Sequence, residues 1–299
     1  MQDVEFVYSK SILNLEKYNS KIYASINPYI GCSHLCKYCY VQAEKYSKAN
    51  DISKVKIKQN AIEVLIKDIS KYISRYPEGV IYLGTSCDPY QPVEEKFNLS
   101  QKILSILLQH TFYNIHIFTK SKLILRDIEL FKKFSNRVNI SITLITTDNK
   151  IKKIFEPNAS SIEERIYCIK TLTSQGIKCG VAIMPILPYI TDKDEVLSNL
   201  LYSVKTANCN YIWWDYLTLR NNLTDIKKLS QKQVYYNLLR VHFSDLIDKY
   251  NLLYKNKITP NINYKKIIDK KIINLSKKYN IPINGPCWED FGPSYLFNY

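Results

Sequence analysis

The sequence predicts an α/β protein built on a parallel sheet, and three observations carry that reading. Short β-rich runs alternate with amphipathic helical segments from about residue 60 to about residue 250. Most of those runs are continuously apolar rather than alternating, the pattern of parallel strands covered on both faces. The chain has 299 residues, 46% of them apolar, enough for one large domain or two small ones. About six strand–helix repeats joined by right-handed crossovers give a sheet that is either doubly wound or closed into a barrel.

Taken in order, the expected strands are residues 22–26 (IYASI), 80–85 (VIYLGT), 114–120 (NIHIFTK), 138–144 (VNISITL), 178–185 (KCGVAIMP) and 211–218 (YIWWDYLT). Helical periodicity falls between them at 61–74, 100–109, 123–134, 161–175 and 193–206. The fourth helix opens with SSIEE, where Ser160 and Glu163 fit a capping box, and stops at Gly176, a good residue just past a helix end. Composition shifts once, near Lys255: the chain becomes rich in Lys and Asn and finishes in the aromatic stretch GPCWEDFGPSYLFNY. The expected organisation is a core domain over 1–255, with a lead-in at 1–20, and a C-terminal extension over 256–299 that packs on it.

The net charge of +15 points first to an anionic partner such as DNA or another nucleic acid. The 42 basic residues comprise 36 Lys and 6 Arg, however, beside abundant Ile, Asn and Tyr. An AT-rich genome yields that mixture without selection for charge, and arginine, the residue suited to bidentate phosphate and base contacts, is scarce. The opening MQDVEFVYSK holds no apolar run, and no segment approaches the length of a membrane helix. The expectation is a cytoplasmic protein with reduced thiols and no membrane partner.

Three of the eight cysteines, Cys32, Cys36 and Cys39, are spaced C-x3-C-x2-C directly after the first expected strand. A structural zinc site wants four ligands, usually in two hooks, and no second hook exists: Cys87, Cys168, Cys179, Cys209 and Cys287 are isolated. His34 would be an awkward fourth ligand inside so tight a loop. Three thiolates on one short loop suit an iron–sulfur cubane that keeps one iron open for chemistry.

This motif resembles that of the radical S-adenosylmethionine (SAM) superfamily. The stretches NPYIGCSHLCKYCYVQ, GTSCDPYQPVEEKFNLS, FTKSKLILRD, ISIT, FEPNASSIEERI and VAIMPILP, in that order, are similar to the spore photoproduct lyase branch, also described as SplB-like or DNA-photolyase-like. The likeness runs from about residue 20 to about residue 190. It implies a partial (β/α)6 barrel with its chemistry at the strand C-termini, a single [4Fe-4S] cluster held by Cys32, Cys36 and Cys39, and SAM on the open iron. One electron then cleaves SAM to a 5′-deoxyadenosyl radical that takes hydrogen from an organic substrate. An electron donor such as flavodoxin or ferredoxin is implied as a partner.

The resemblance also assigns roles. Tyr38 fills the aromatic position near adenine, Lys120 meets the SAM carboxylate, and Ser141 bonds the ribose or methionine part. Thr85 and Ser86 stand where the SAM amino group is received, and Ile183 and Met184 where adenine meets backbone and an apolar face. Tyr40 matches a tyrosine implicated in radical relay. Cys87 is the candidate hydrogen donor, although alignment on Asp88 puts the lyase cysteine at Thr85, two residues earlier. Cys287 is a second candidate thiol. Glu156 and Arg165 read as structural, one bonding the loop backbone and the other ion-pairing on its helix, and Cys168, Cys179 and Cys209 as core. The leading reading is a lyase-like enzyme, its narrow form acting on DNA photodimers. The alternatives are the same chemistry on a peptide, tRNA or small metabolite, and a non-enzymatic nucleic-acid-binding protein with a structural metal loop.

Overall fold

The structure is a computed structural model that describes residues 4–18, 21–43, 54–72, 75–221, 229–255 and 257–284. All six expected strands form, and four more appear. In chain order they are β1 (Val4–Val7), β2 (Leu13–Tyr18), β3 (Lys21–Ile26), β4 (Tyr29–Ile30), β5 (Val55–Lys58), β6 (Gly79–Leu83), β7 (Asn114–Thr119), β8 (Val138–Thr143), β9 (Lys178–Ile186) and β10 (Ile212–Tyr216). The helices are α1 (Ala61–Tyr72), α2 (Glu94–Phe97), α3 (Leu99–His110), α4 (Ile128–Lys133), α5 (Asn149–Phe155), α6 (Ile162–Ser174), α7 (Asp194–Thr206), α8 (Gln231–His242), α9 (Ile247–Tyr254) and α10 (Ile262–Tyr279).

The main sheet has seven strands in the order β10-β9-β8-β7-β6-β3-β2. Its six core strands pair in parallel and lie side by side in chain order, with β2 added antiparallel at one edge. A doubly wound sheet reverses direction at a switch point, and this one does not. It is the open, singly wound (β/α)6 arrangement; among the described residues no pairing closes β10 onto the opposite edge. A small sheet, β1-β5-β4, stands apart from it.

Alternation along the strands separates two environments. Ile81, Leu83, Ile115, Ile117, Ile140, Ile142, Val181 and Ile183 join Leu104, Leu107, Ile169, Leu172, Leu200 and Leu201 of α3, α6 and α7 in one core. The residues between them face the concave side. There His116 stacks on Phe118 with centroids 4.7 Å apart, Phe118 meets Trp213 at 5.8 Å, and Tyr211 packs with Ala182 and Trp213. Gly180 makes room for this: a Cβ there would stand 2.2 Å from the Tyr211 ring.

Two expectations need correction. The α6 capping box uses Ser161 and Glu164, not Ser160 and Glu163. Ser160 is held outside the helix, because its N–H donates to Lys120 O (3.2 Å) and its hydroxyl accepts from Lys122 N (2.9 Å). The helix expected at 123–134 breaks into a 3-10 turn, Lys122–Asp127, followed by α4. The Lys/Asn-rich tail contains α10, capped by Asn261 and buried through Ile268 and Ile272 against the main core. Its aromatic end, with Cys287, lies outside the described residues.

Candidate active site

The cysteine loop follows β3 and β4, at the C-terminal ends of the parallel strands. Gly31 (φ 82°) and Leu35 (φ 52°) give it two left-handed turns, and Leu35 N–H donates to Cys32 O (3.4 Å) while Cys39 N–H donates to Cys36 O (3.1 Å). Its polar groups are met from four directions. Gln91 accepts from Ser33 N (3.0 Å) and donates to Gly31 O (3.2 Å). Asn158 donates to Ser33 O (2.9 Å), and Lys37 N–H donates to Phe155 O (2.9 Å). Gln231 donates to Tyr38 O (2.7 Å). His34 is engaged through Nε2 with Asp88 (3.0 Å) and through Nδ1 with Asn158 O (3.2 Å), so both ring nitrogens are occupied away from a metal.

Burial pushes the thiols of Cys32 and Cys36 well up, with Lys120 pulling Cys36 back. Thiolates there need cationic partners, which is what bound iron supplies. Among the described residues no three His, Cys, Asp or Glu side chains converge as ligands of a single ion do. Thiolates that bind different irons of one cluster stand further apart, and the donor set fits a three-cysteine cluster.

Asp88, just past β6, ties the strand ends to this loop. Its carboxylate accepts from His34 Nε2 (3.0 Å), Lys120 N (2.7 Å), Tyr90 N (2.9 Å) and Thr119 Oγ1 (2.7 Å). Burial alone would raise its pKa, but the charge and bond of His34, with the donors from Lys120 and Thr119, outweigh it and hold the group at about 2. Lys120 ends β7 with its Nζ 5.9 Å from the Tyr38 ring centroid. Burial would lower its pKa, yet Cys36, Glu156, Asp88 and Cys32 raise it, so it is a cation beside the loop. Tyr38 donates its hydroxyl to Glu156, which is paired with Arg165 at 2.7 Å, both fully buried. The two charged residues are thus partners of each other, and Glu156 bonds a side chain rather than the loop backbone.

At the end of β6, Gly84 (φ 93°) lets the chain turn; a Cβ would stand 2.4 Å from Pro89 Cδ. Asn27 then organises the next three residues, donating to Thr85 Oγ1 (3.0 Å) and accepting from Ser86 N (2.8 Å) and the Cys87 thiol (3.9 Å). Thr85 and Ser86 remain half-buried at the strand end, and Tyr40 donates to Thr85 O (2.6 Å). Cys87 is 5% exposed and belongs to the main core, with burial raising its thiol to about 12.

The side chains of Ser141 and Ile183 are taken up within the protein. Ser141 is fully buried, and its hydroxyl is taken up by His116 Nε2 (2.8 Å), Trp213 Nε1 (3.0 Å) and Tyr211 (3.2 Å) on the concave floor. The side chain of Ile183 points into the helix-facing core, whereas Met184 reaches the aromatic floor. Sequence reasoning missed Asn27, Gln91 and Gln231; a buried amide carries no spacing signal. Asp88 served it only as an alignment anchor.

A three-thiol loop thus stands over the C-terminal ends of an open (β/α)6 sheet, beside a half-buried lysine. A model of the radical SAM superfamily matches residues 26–201, and the chain belongs to that superfamily. It is 32% identical over 264 residues to an uncharacterized protein of Methanocaldococcus jannaschii, covering 88% of this chain and 89% of that one. It is 24% identical over 165 residues to spore photoproduct lyase of Clostridium acetobutylicum, 55% of this chain and 47% of the lyase. Among solved structures, a spore photoproduct lyase variant superposes with a TM-score of 0.69 at 12% identity, covering 92% of this chain and 79% of that one. Another, with bound AdoMet and dinucleoside spore photoproduct, gives 0.68 at 13% identity with the same coverage. The lyase fold is therefore shared. Among the described residues no helix is long and apolar enough to cross a membrane.

Proposed function

We propose that this protein is an enzyme that cleaves SAM reductively at a single [4Fe-4S] cluster and directs the resulting radical to a C–H bond of an organic substrate. The observation that carries the reading is the joint position of Cys32, Cys36 and Cys39 and the half-buried cation Lys120 at the strand ends. When bound, the cluster supplies the electron that breaks the SAM carbon–sulfur bond. Every other role falls to side chains.

Lys120, a cation fixed through Asp88, would meet the SAM carboxylate, and Thr85 and Ser86 would receive the amino group. Tyr38, held by Glu156, and Met184 would meet the adenine. The backbone of Ile183 lies on the same strand, and its side chain packs the sheet from behind. Ser141 supports the floor beneath the cofactor through Trp213 and Tyr211. Burial keeps Cys87 as S–H, the form that gives up a hydrogen atom, and Asn27 sets its direction. Tyr40, whose hydroxyl donates to Thr85 O two residues before that thiol, is the relay in this reading. An external reductant such as flavodoxin or ferredoxin feeds the cluster.

The lyases that share the fold include one solved with dinucleoside spore photoproduct, and a DNA photolesion is the first substrate to test here. The experiment is anaerobic reconstitution with iron and sulfide analysis, followed by dithionite, SAM and dinucleoside photoproduct, with 5′-deoxyadenosine and thymine products measured. About four irons per chain and reductant-dependent 5′-deoxyadenosine are expected. One zinc and no sulfide would overturn the reading. 5′-Deoxyadenosine without photoproduct turnover would keep the chemistry and discard the lesion.

A further inference from the structure

The superfamily match ends at residue 201, yet the chain beyond it returns to the cysteine loop. Gln231 is the first residue of α8 and fully buried. It takes no part in capping that helix, which Ser230 and Gln233 do between them. Instead its amide donates to Tyr38 O (2.7 Å) and to Thr218 O (2.6 Å), while its oxygen accepts from Arg220 N (2.9 Å). Both N–H bonds and the carbonyl are therefore in use.

Tyr38 lies between Cys36 and Cys39, so the carbonyl that Gln231 holds is inside the turn that aims those two thiols. The arrangement mirrors the one at the other end of the loop, where Gln91, also fully buried, holds Gly31 O and Ser33 N on either side of Cys32. The segment leading to α8 adds a second hold: Arg220 lies over the Tyr40 ring with its guanidinium carbon 5.5 Å from the centroid. A neutral amide suits this place. It satisfies a buried carbonyl without adding charge beside three thiolates, where a carboxylate would repel them and a shorter side chain would leave the carbonyl unpaired.

We propose that Gln231 is a positioning residue for the cysteine loop, fixing the turn between Cys36 and Cys39 from outside the matched domain. The C-terminal third of the chain is then part of the ligand scaffold. The proposal rests on the reading of these cysteines as cluster ligands, and its test has a readout that needs no cluster.

The metal-free full chain is alkylated with iodoacetamide, and each cysteine is followed by mass spectrometry in wild type and Gln231→Met, a near-isosteric change. The expected result is about tenfold faster reaction at Cys36 and Cys39, as one lost bond to a buried carbonyl favours local opening. Cys168, Cys179 and Cys209, in the core, keep their protection. Iron retained after reconstitution falls in step. If the core cysteines of Gln231→Met react as well, Gln231→Glu is measured, which keeps the acceptor for Arg220 N and loses the donor to Tyr38 O. A folded variant with wild-type rates at Cys36 and Cys39 and wild-type iron overturns the proposal. So does loss of protection at every cysteine in both variants, since the side chain would then hold the whole fold. Zinc in place of iron and sulfide in the wild-type protein would sink the ligand reading while leaving the loop-opening result standing.

Discussion

Asp88→Asn tests how the loop is joined to the strand ends. Each carboxylate oxygen accepts one backbone N–H: Oδ1 from Tyr90 (2.9 Å) and Oδ2 from Lys120 (2.7 Å). Thr119 can rotate its hydroxyl, but a backbone N–H cannot turn into an acceptor. Whichever way the Asn amide lies, its NH2 faces one of the two N–H groups, and that group stays buried and unpaired, at about 1–3 kcal/mol. The remaining bonds also lose their charge assistance. A total near 3 kcal/mol follows, and the depressed pKa agrees: about 2 against 3.8 for an ordinary aspartate corresponds to about 2 kcal/mol. At about 2–4 °C per kcal/mol for a chain of this size, the melting temperature should fall by about 6–12 °C.

The assay is thermal unfolding of the metal-free protein by circular dichroism. The sign of the pH dependence is fixed. A carboxylate with a lowered folded pKa stabilises above its unfolded value, and that stability disappears as pH falls from about 4 toward about 2. The gap between wild type and variant should be full at neutral pH and close over that window. A gap below about 2 °C at pH 7, or one that persists unchanged through the acid range, would refute the reasoning.

Cys32→Ala, Cys36→Ala and Cys39→Ala should each lose cluster iron and all 5′-deoxyadenosine formation; a variant with full iron and sulfide would leave the ligand set. Lys120→Ala should weaken SAM binding by about 1.5–3 kcal/mol, the loss of one charge-assisted bond, and calorimetry with an unchanged Kd would make it a bystander. Gly180→Ala puts a methyl 2.2 Å from the Tyr211 ring and should cost about 1–3 kcal/mol by overpacking. Tyr211→Leu in the same chain should recover part of that melting temperature, and no recovery would place the strain elsewhere. Cys87→Ala should leave SAM cleavage intact while the substrate radical goes to adducts or slower quenching; identical product at an identical rate would move the donor role to another group.

The parallel strands were legible because burial on both faces writes several of them as unbroken apolar runs, as in GVIYL of β6 and the VAIMPI end of β9, while NIHIFT of β7 and VNISIT of β8 alternate and turn His116 and Ser141 to the other face. The α10 helix was not, since its Ile and Leu stripe is diluted by lysines that keep the outer face solvated. The β1-β5-β4 sheet was missed for a similar reason: VKIK of β5 has only two apolar residues, and its partner β1 is remote in sequence. The capping box shifted by one residue because two serines compete at positions 160 and 161. Only the tie of Ser160 to Lys120 and Lys122 decides between them.

At the site, the proposed cluster ligands were carried by local sequence. Three thiols within eight residues share one loop whatever the rest of the fold does, and Lys120 at a strand end follows from where β7 stops. The partners of those residues are another matter. Gln91 and Gln231 reach the loop from 60 and 193 positions away in the chain, and Ser141 meets Trp213 across the concave floor. Spacing cannot encode such contacts, because they depend on how the fold brings segments distant in sequence together. The choice between a doubly wound sheet and an open barrel was also left to tertiary structure. Both use the same strands and helices, and they differ only in the side on which each new strand is laid down.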